Sequence, residues 1–222
     1  MDNTTSATTA VVALDSYRKA QRLQALHRIE TYWHRLRGGC GIPRRSDVDP
    51  RDMRGVLDHT FILERIAPGV ARVRIAGQHI KALTGQEARG LPLSVLFEVP
   101  ARDALARQLE RVFSDPAIVC LPIVADGPTG PVKAEMLMLP LMSEQGRVSR
   151  ALGGISTFSE IRQASRRLTL ARGEVRVDRI DTERQLDHLV ASFAEDPAPF
   201  AHRTPSAPER PALHLVQDSA RS

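Results

Sequence analysis

Two periods of hydrophobic spacing alternate along this chain. Near its start Leu23, Leu26, Ile29, Trp33 and Leu36 recur at steps of three and four, with Arg22, Gln24, Arg28, Glu30 and Arg35 around them. That stripe predicts an amphipathic helix over about 14–37, closed by Gly38-Gly39 where a left-handed C-terminal residue is wanted. Between 60 and 76 the period falls to two. Phe61, Ile62 and Leu63 open one β-rich run, Pro68-Gly69 turns the chain, and Val73 and Ile75 return alternating with Arg72 and Arg74. The pattern predicts an antiparallel hairpin with one buried and one wet face. Gly77 ends the second run, and Ile80 and Leu83 mark a short helix over 78–83.

Further on, 93–97 reads as an apolar helical turn. Pro100 then starts a helix carrying Leu105, Leu109 and Val112 on one stripe, and Asp115-Pro116 stops it. Three strands follow over 117–125, 132–142 and 147–158, joined by turn-rich segments. The order predicts an α+β fold: a five-stranded antiparallel sheet with helices on one face, preceded by an N-terminal helix. Strands 117–125 and 132–142 are apolar on both alternating sets, Met136 and Met138 against Leu137 and Leu139 in the second. A sheet with one wet face should not read that way. The outer face therefore needs a cover, and the candidate is the leading helix, in cis or from a second subunit. The expectation is a homodimer through Leu23, Leu26, Ile29, Trp33, Leu36, Leu137 and Leu139, since a bare apolar patch of that extent marks an interface.

The organisation expected is a disordered 1–12, a helical cap over 13–58, the α+β domain over 59–163, a partly helical extension over 164–195, and a Pro/Ala/Ser-rich disordered tail over 196–222. Within the extension, 174–180 alternates as a short strand or loop would, and 181–193 reads as a weak amphipathic helix.

Composition narrows the function classes. Hydrophobic residues make up 42% of the 222, enough for a sizeable core. No apolar run approaches the roughly 20 residues that span a bilayer, and the first residues lack a signal-peptide pattern, so a cytoplasmic protein is expected. Cys40 and Cys120 stand alone, without metal-ligand spacing. The net charge of +5 comes from arginine scattered along the whole chain rather than from one patch. No GxSxG, Walker glycine loop, HExxH or kinase signature occurs, and Asp126 and Glu135 are isolated carboxylates. No catalytic residue and no metal ligand is assigned, and the sequence requires no cofactor.

The segment 44–52 concentrates charge in Arg44, Arg45, Asp47, Asp49 and Asp52. Asp49-Pro50 reads as a cap with proline at the first helical position, and the arginines and aspartates around it as local pairing between helices. Taken with its neighbours, this region resembles a family of alphaproteobacterial PAS-domain regulators with YWxxLRG, PxRxDxDP and RxAGxxxxxLxG motifs. The matching residues are Tyr32, Trp33, Leu36, Arg37, Gly38, Pro43, Arg45, Asp47, Asp49, Pro50, Arg74, Ala76, Gly77, Leu83 and Gly85. The resemblance covers about 27–163 and implies a PAS fold used in signalling, without an enzymatic domain in the same chain.

On that basis the inner face comprises Phe61, Leu63, Val73, Ile75, Ile80, Leu83, Leu96, Leu105 and Leu109, which either fill the core or line a small apolar pocket. His79, beside it, reads as a helix-surface or capping histidine, with a ligand role as the competing reading. The function expected is a non-enzymatic regulatory module acting by protein–protein contact, with itself and an unidentified signalling protein as partners. Two alternatives stay open: a module binding a small apolar ligand and, behind it, a nucleic-acid-binding regulator using 162–176.

Overall fold

The computed structural model describes residues 24–38, 41–127, 130–161, 164 and 167–180. Leu23, Cys40, the 181–193 helix and both terminal segments expected to be disordered lie outside them. The first helix, α1, is described over 24–37 and ends at Gly38, whose φ is +60°. The hairpin follows as β1 (Thr60–Ala67) and β2 (Val70–Ala76), then α2 (Gln78–Thr84), capped by Gly85 at φ +69°. Two 3-10 turns, Leu93–Leu96 and Val99–Ala101, lead into α3 (Arg102–Phe113). Proline thus starts the run as its spacing predicts, but as a 3-10 turn rather than the first α-turn.

Three long strands complete the sheet: β3 (Ala117–Gly127), β4 (Gly130–Met142) and β5 (Val148–Thr157). Two short ones, β6 (Leu168–Leu170) and β7 (Arg176–Arg179), then pair antiparallel with the far edge of β3. The strand order is β2-β1-β5-β4-β3-β6, with β7 beside β6 on β3. The five expected strands are all present, and the extension adds a broken sixth line.

The sheet separates two cores. On the inner face α2, α3 and the 3-10 turns pack Ile80, Leu83, Leu96, Phe97, Leu105 and Leu109 against Phe61, Leu63, Val73, Met136 and Met138. On the outer face Leu26, Ile29, Tyr32 and Trp33 of α1 cover Ile62, Ile118, Leu137, Leu139 and Leu152. The doubly apolar strands follow directly, because each face has its own helical layer.

One face assignment is corrected. Ile75 is 45% exposed instead of lying on the inner face. The register runs Ile62 opposite Ile75 but Leu63 opposite Val73, so Arg74 is an extra residue in β2. A bulge of this kind shifts the alternation by one, and Ile75 joins the outer side at the open edge of the sheet.

Two adjacent glycines in β5 explain how closely both layers approach. A Cβ on Gly153 would meet the Leu137 carbonyl at 2.2 Å and the Phe61 ring at 2.4 Å; one on Gly154 would meet Ile29 Cδ1 at 2.7 Å and Leu26 Cδ2 at 3.1 Å. Mid-strand glycine here marks contact from opposite sides of the sheet.

Candidate functional site

The residues of the motif region assemble where α1 meets the sheet. Trp33 is fully buried, and its indole Nε1–H donates to the Pro140 carbonyl at 2.9 Å. The Tyr32 hydroxyl accepts from the Asp49 N–H at 2.8 Å and donates to the Asp49 carbonyl at 3.3 Å. Burial, the largest influence, raises the Tyr32 pKa from its ordinary value, partly offset by the bond to Asp49. The Asp49 side chain accepts from the Arg51 N–H at 2.8 Å, capping the 3-10 turn Pro50–Met53. Arg37 donates to the Gly41 carbonyl at 2.9 Å, and Arg28 to the Arg54 carbonyl at 3.0 Å. The Met142 N–H donates to the Pro43 carbonyl at 2.9 Å, tying the same loop to β4. These side chains saturate backbone groups rather than leaving a reactive centre. Their work is to hold a helix on a sheet.

The second motif has an equally local cause. A Cβ on Gly77 would lie 2.2 Å from the Asp58 carbonyl and 2.3 Å from that of Leu57, so the chain passes here only as glycine. The Gly77 N–H donates to the Thr60 carbonyl at 2.9 Å, which sets α2 against the start of β1.

That junction brings two histidines together. His59 and His79 stack with ring centroids 4.1 Å apart and planes tilted by 36°. His59 Nδ1 lies 3.0 Å from the Ile155 carbonyl, while the buried His79 Nε2 has no hydrogen-bond partner among the described residues. Burial first, then the neighbouring His59, pushes His79 down to about 4, with Asp58 pulling the other way. His79 is therefore a half-buried ring facing His59 that does not cap α2. The pairing joins residues twenty apart in sequence and only the hairpin's return brings them together.

A groove of about 300 Å³ opens beside α1, lined by Leu26, His27, Glu30, Cys120, Pro122, Glu135, Leu137, Glu174 and Arg176. Arg176 donates to Glu30 at 2.6 Å, joining β7 to α1 across it. The Cys120 thiol faces Glu135 at 3.8 Å, and burial, aided by that carboxylate, pushes it up to about 12. A thiol so protonated is a poor nucleophile. Among the described residues no group of three or more His, Cys, Asp or Glu could hold a metal ion.

Of the nine residues expected around an inner cavity, eight pack on one another in a single cluster and Ile75 does not. Of the seven expected at a subunit interface, Leu23 lies outside the described residues. Leu26, Ile29, Trp33, Leu137 and Leu139 are buried, and Leu36 is half-buried, all within one chain. In this chain the apolar face that motivated a dimer is covered by its own α1.

A curled antiparallel sheet with its helices after the first hairpin and an N-terminal helix behind it defines a PAS-type fold. The family model PAS_5, described as a PAS domain, matches residues 21–156, and the chain belongs to that family. The match includes the whole of described α1. No curated protein matches the sequence. Among solved structures the chain is similar to a light-oxygen-voltage domain studied with a flavin analogue, at 14% identity and TM-score 0.36, covering 66% of this chain and 94% of that one. It is similar also to the light state of the Aureochrome1 LOV domain, at 18% and TM-score 0.35, covering 47% and 84%. An RNA-binding light-oxygen-voltage receptor shows 18% and TM-score 0.35, covering 69% of this chain and 41% of that one. Likeness at this level says nothing of ligand or activity. Among the described residues no helix is long and apolar enough to cross a membrane.

Proposed function

We propose that this PAS domain is a regulatory module without chemistry of its own, acting through contact with a separate signalling protein. The observation that supports the reading most is the outer layer. Trp33 bonds the Pro140 carbonyl of β4, and Tyr32 and Arg37 bond the loop after α1 at Asp49 and Gly41, on the face opposite the packed inner core. A helix held on the back of the sheet by a few directed bonds presents a surface that a partner can read and shift. The ligand-binding alternative looks to the inner face, where the same eight residues are buried in one cluster.

The test is genetic. A gene deletion in the host is compared with a chromosomal Gly154→Leu variant, which forces α1 away from β5 while leaving the inner core in place. The reading predicts that both change the same set of transcripts. A deletion that leaves transcripts unchanged and accumulates a metabolite would contradict it.

A further inference from the structure

We infer that residues 167–180 form a displaceable strap that ties the packing of the inner core to the position of α1; the inference goes beyond the regulatory reading by naming the coupling element. The strap is anchored at its two ends in two different cores. Leu168 is fully buried in the inner cluster, and its carbonyl accepts from the Glu98 N–H at 2.9 Å, just before the turn that leads into α3. Ile180 is buried in the outer cluster with α1, and its N–H donates to the Pro116 carbonyl at 2.9 Å. Between these ends Arg176 bonds Glu30 of α1 at 2.6 Å, and Arg179 pairs with Asp115 beyond the end of α3 at 3.3 Å. Within the described chain this short segment thus touches both helical layers.

The middle of the strap is weak for a stated reason. Pro122 of β3 has no N–H, and its carbonyl points to the strap side, where it accepts from Ala171 at 2.9 Å. The missing donor therefore falls on the edge that the strap must pair with. The ladder breaks there: Ile123 faces Leu170 and Cys120 faces Arg176, leaving 171–175 opposite Leu121 and Pro122 alone. Gly173 passes over the proline ring, where an added Cβ would meet Cγ at 3.1 Å. Three pairs on one side and four on the other hold the strap, with its anchors. Such an edge strand, short and interrupted, opens at lower cost than the continuous β3–β4 ladder. When it lifts, Glu174 and Arg176 leave the groove beside α1, and Glu30 loses its partner. A loosened Leu168 at the inner end is in this way transmitted to α1 on the other face.

Hydrogen exchange by mass spectrometry on the full chain tests the coupling directly, and reads it whether or not the protein regulates anything. Leu168→Ala is expected to raise exchange at least tenfold in β7 and also in 24–30 of α1, with β1 unchanged. Arg176→Glu, an exposed substitution that keeps both cores, is expected to raise exchange in 24–30 and at 97–98 near the opposite end. The double variant Glu30→Arg with Arg176→Glu is expected to restore both. Should Leu168→Ala not fold, Arg176→Glu and its rescue carry the test. Changes confined to each substitution's own neighbours, with no response at the other end, would overturn the inference.

Discussion

The two faces of one sheet are held by different physics. The inner core is apolar contact almost throughout: Phe61, Phe97, Leu105 and Leu109 need volume and shape, not particular partners. The outer layer is smaller, and a few directed bonds from Trp33, Tyr32, Asp49 and Arg37 fix where α1 lies. The comparison teaches which layer depends on residue type and which on volume. Hydrophobic filling tolerates exchange and leaves a blurred pattern, whereas a directed bond to a carbonyl demands one residue type. Of the charged segment 44–52, Asp49 and Asp52 contact Tyr32 and Arg35 of α1.

The adjacent glycines of β5 separate the two layers most sharply. Gly153→Ala puts a methyl against the Leu137 carbonyl and the Phe61 ring, so the β4–β5 ladder must part. A loss of at least about 3 kcal/mol in denaturant unfolding, or failure to fold, is expected. Gly154→Ala meets the flexible ends of Ile29 and Leu26 and, at 3.1 Å, the His59 carbonyl, and a smaller loss of about 1–2 kcal/mol is expected. Equal losses would dissolve the distinction between the layers.

Trp33→Phe tests the directed bond itself. It keeps most of the apolar contact but leaves the buried Pro140 carbonyl without its donor, so about 1–3 kcal/mol should be lost. A loss within error would mean that α1 is held by apolar burial alone.

His79 gives the pH dependence. Its folded pKa is depressed to about 4, below its unfolded value near 6.5, so the unfolded chain binds more protons. The stability it confers is complete above about pH 6.5 and is lost as pH falls toward 4. Between pH 7 and 5 a loss of about 1–2 kcal/mol is expected. His79→Leu should flatten the curve over that window. Glu64 and Glu110 act at more acid pH. Burial pushes both upward, but Arg150 and Arg74 outweigh it at Glu64, and Ser114, the Gly69 N–H and Arg65 at Glu110, lowering both below the ordinary range. An unchanged slope in His79→Leu would contradict the lowered pKa of this half-buried ring.

Asp52→Asn should do least. Its pair with Arg35 is exposed on both sides at 3.2 Å, and such pairs contribute less than about 0.5 kcal/mol. A larger loss would make the hold on α1 electrostatic.

Much of this was legible in the residues. Period-two and period-three-to-four spacing located all five main strands and both flanking helices, and the doubly apolar 132–142 strand announced a second covered face. Two things were not. The bulge that turns Ile75 outward depends on pairing across the hairpin, which alternation along one strand does not report. Whether α1 covered its own sheet was open because both arrangements bury the same side chains. Gly153-Gly154 was a readable sign of close approach from both faces, which either arrangement of the helix requires. The Arg176–Glu30 bond and the His59–His79 stack join residues far apart in the chain and carry no spacing signal.

The central claim is that α1 closes on the sheet of its own chain. Isotope-filtered nuclear Overhauser spectra of a one-to-one mixture of labelled and unlabelled protein test it, read at the Trp33 indole N–H and the Pro140 ring. The account predicts a strong intrachain cross-peak and none in the spectrum filtered for contacts between chains. A Trp33–Pro140 cross-peak in the filtered spectrum would contradict it, because α1 would then lie on the sheet of a second molecule.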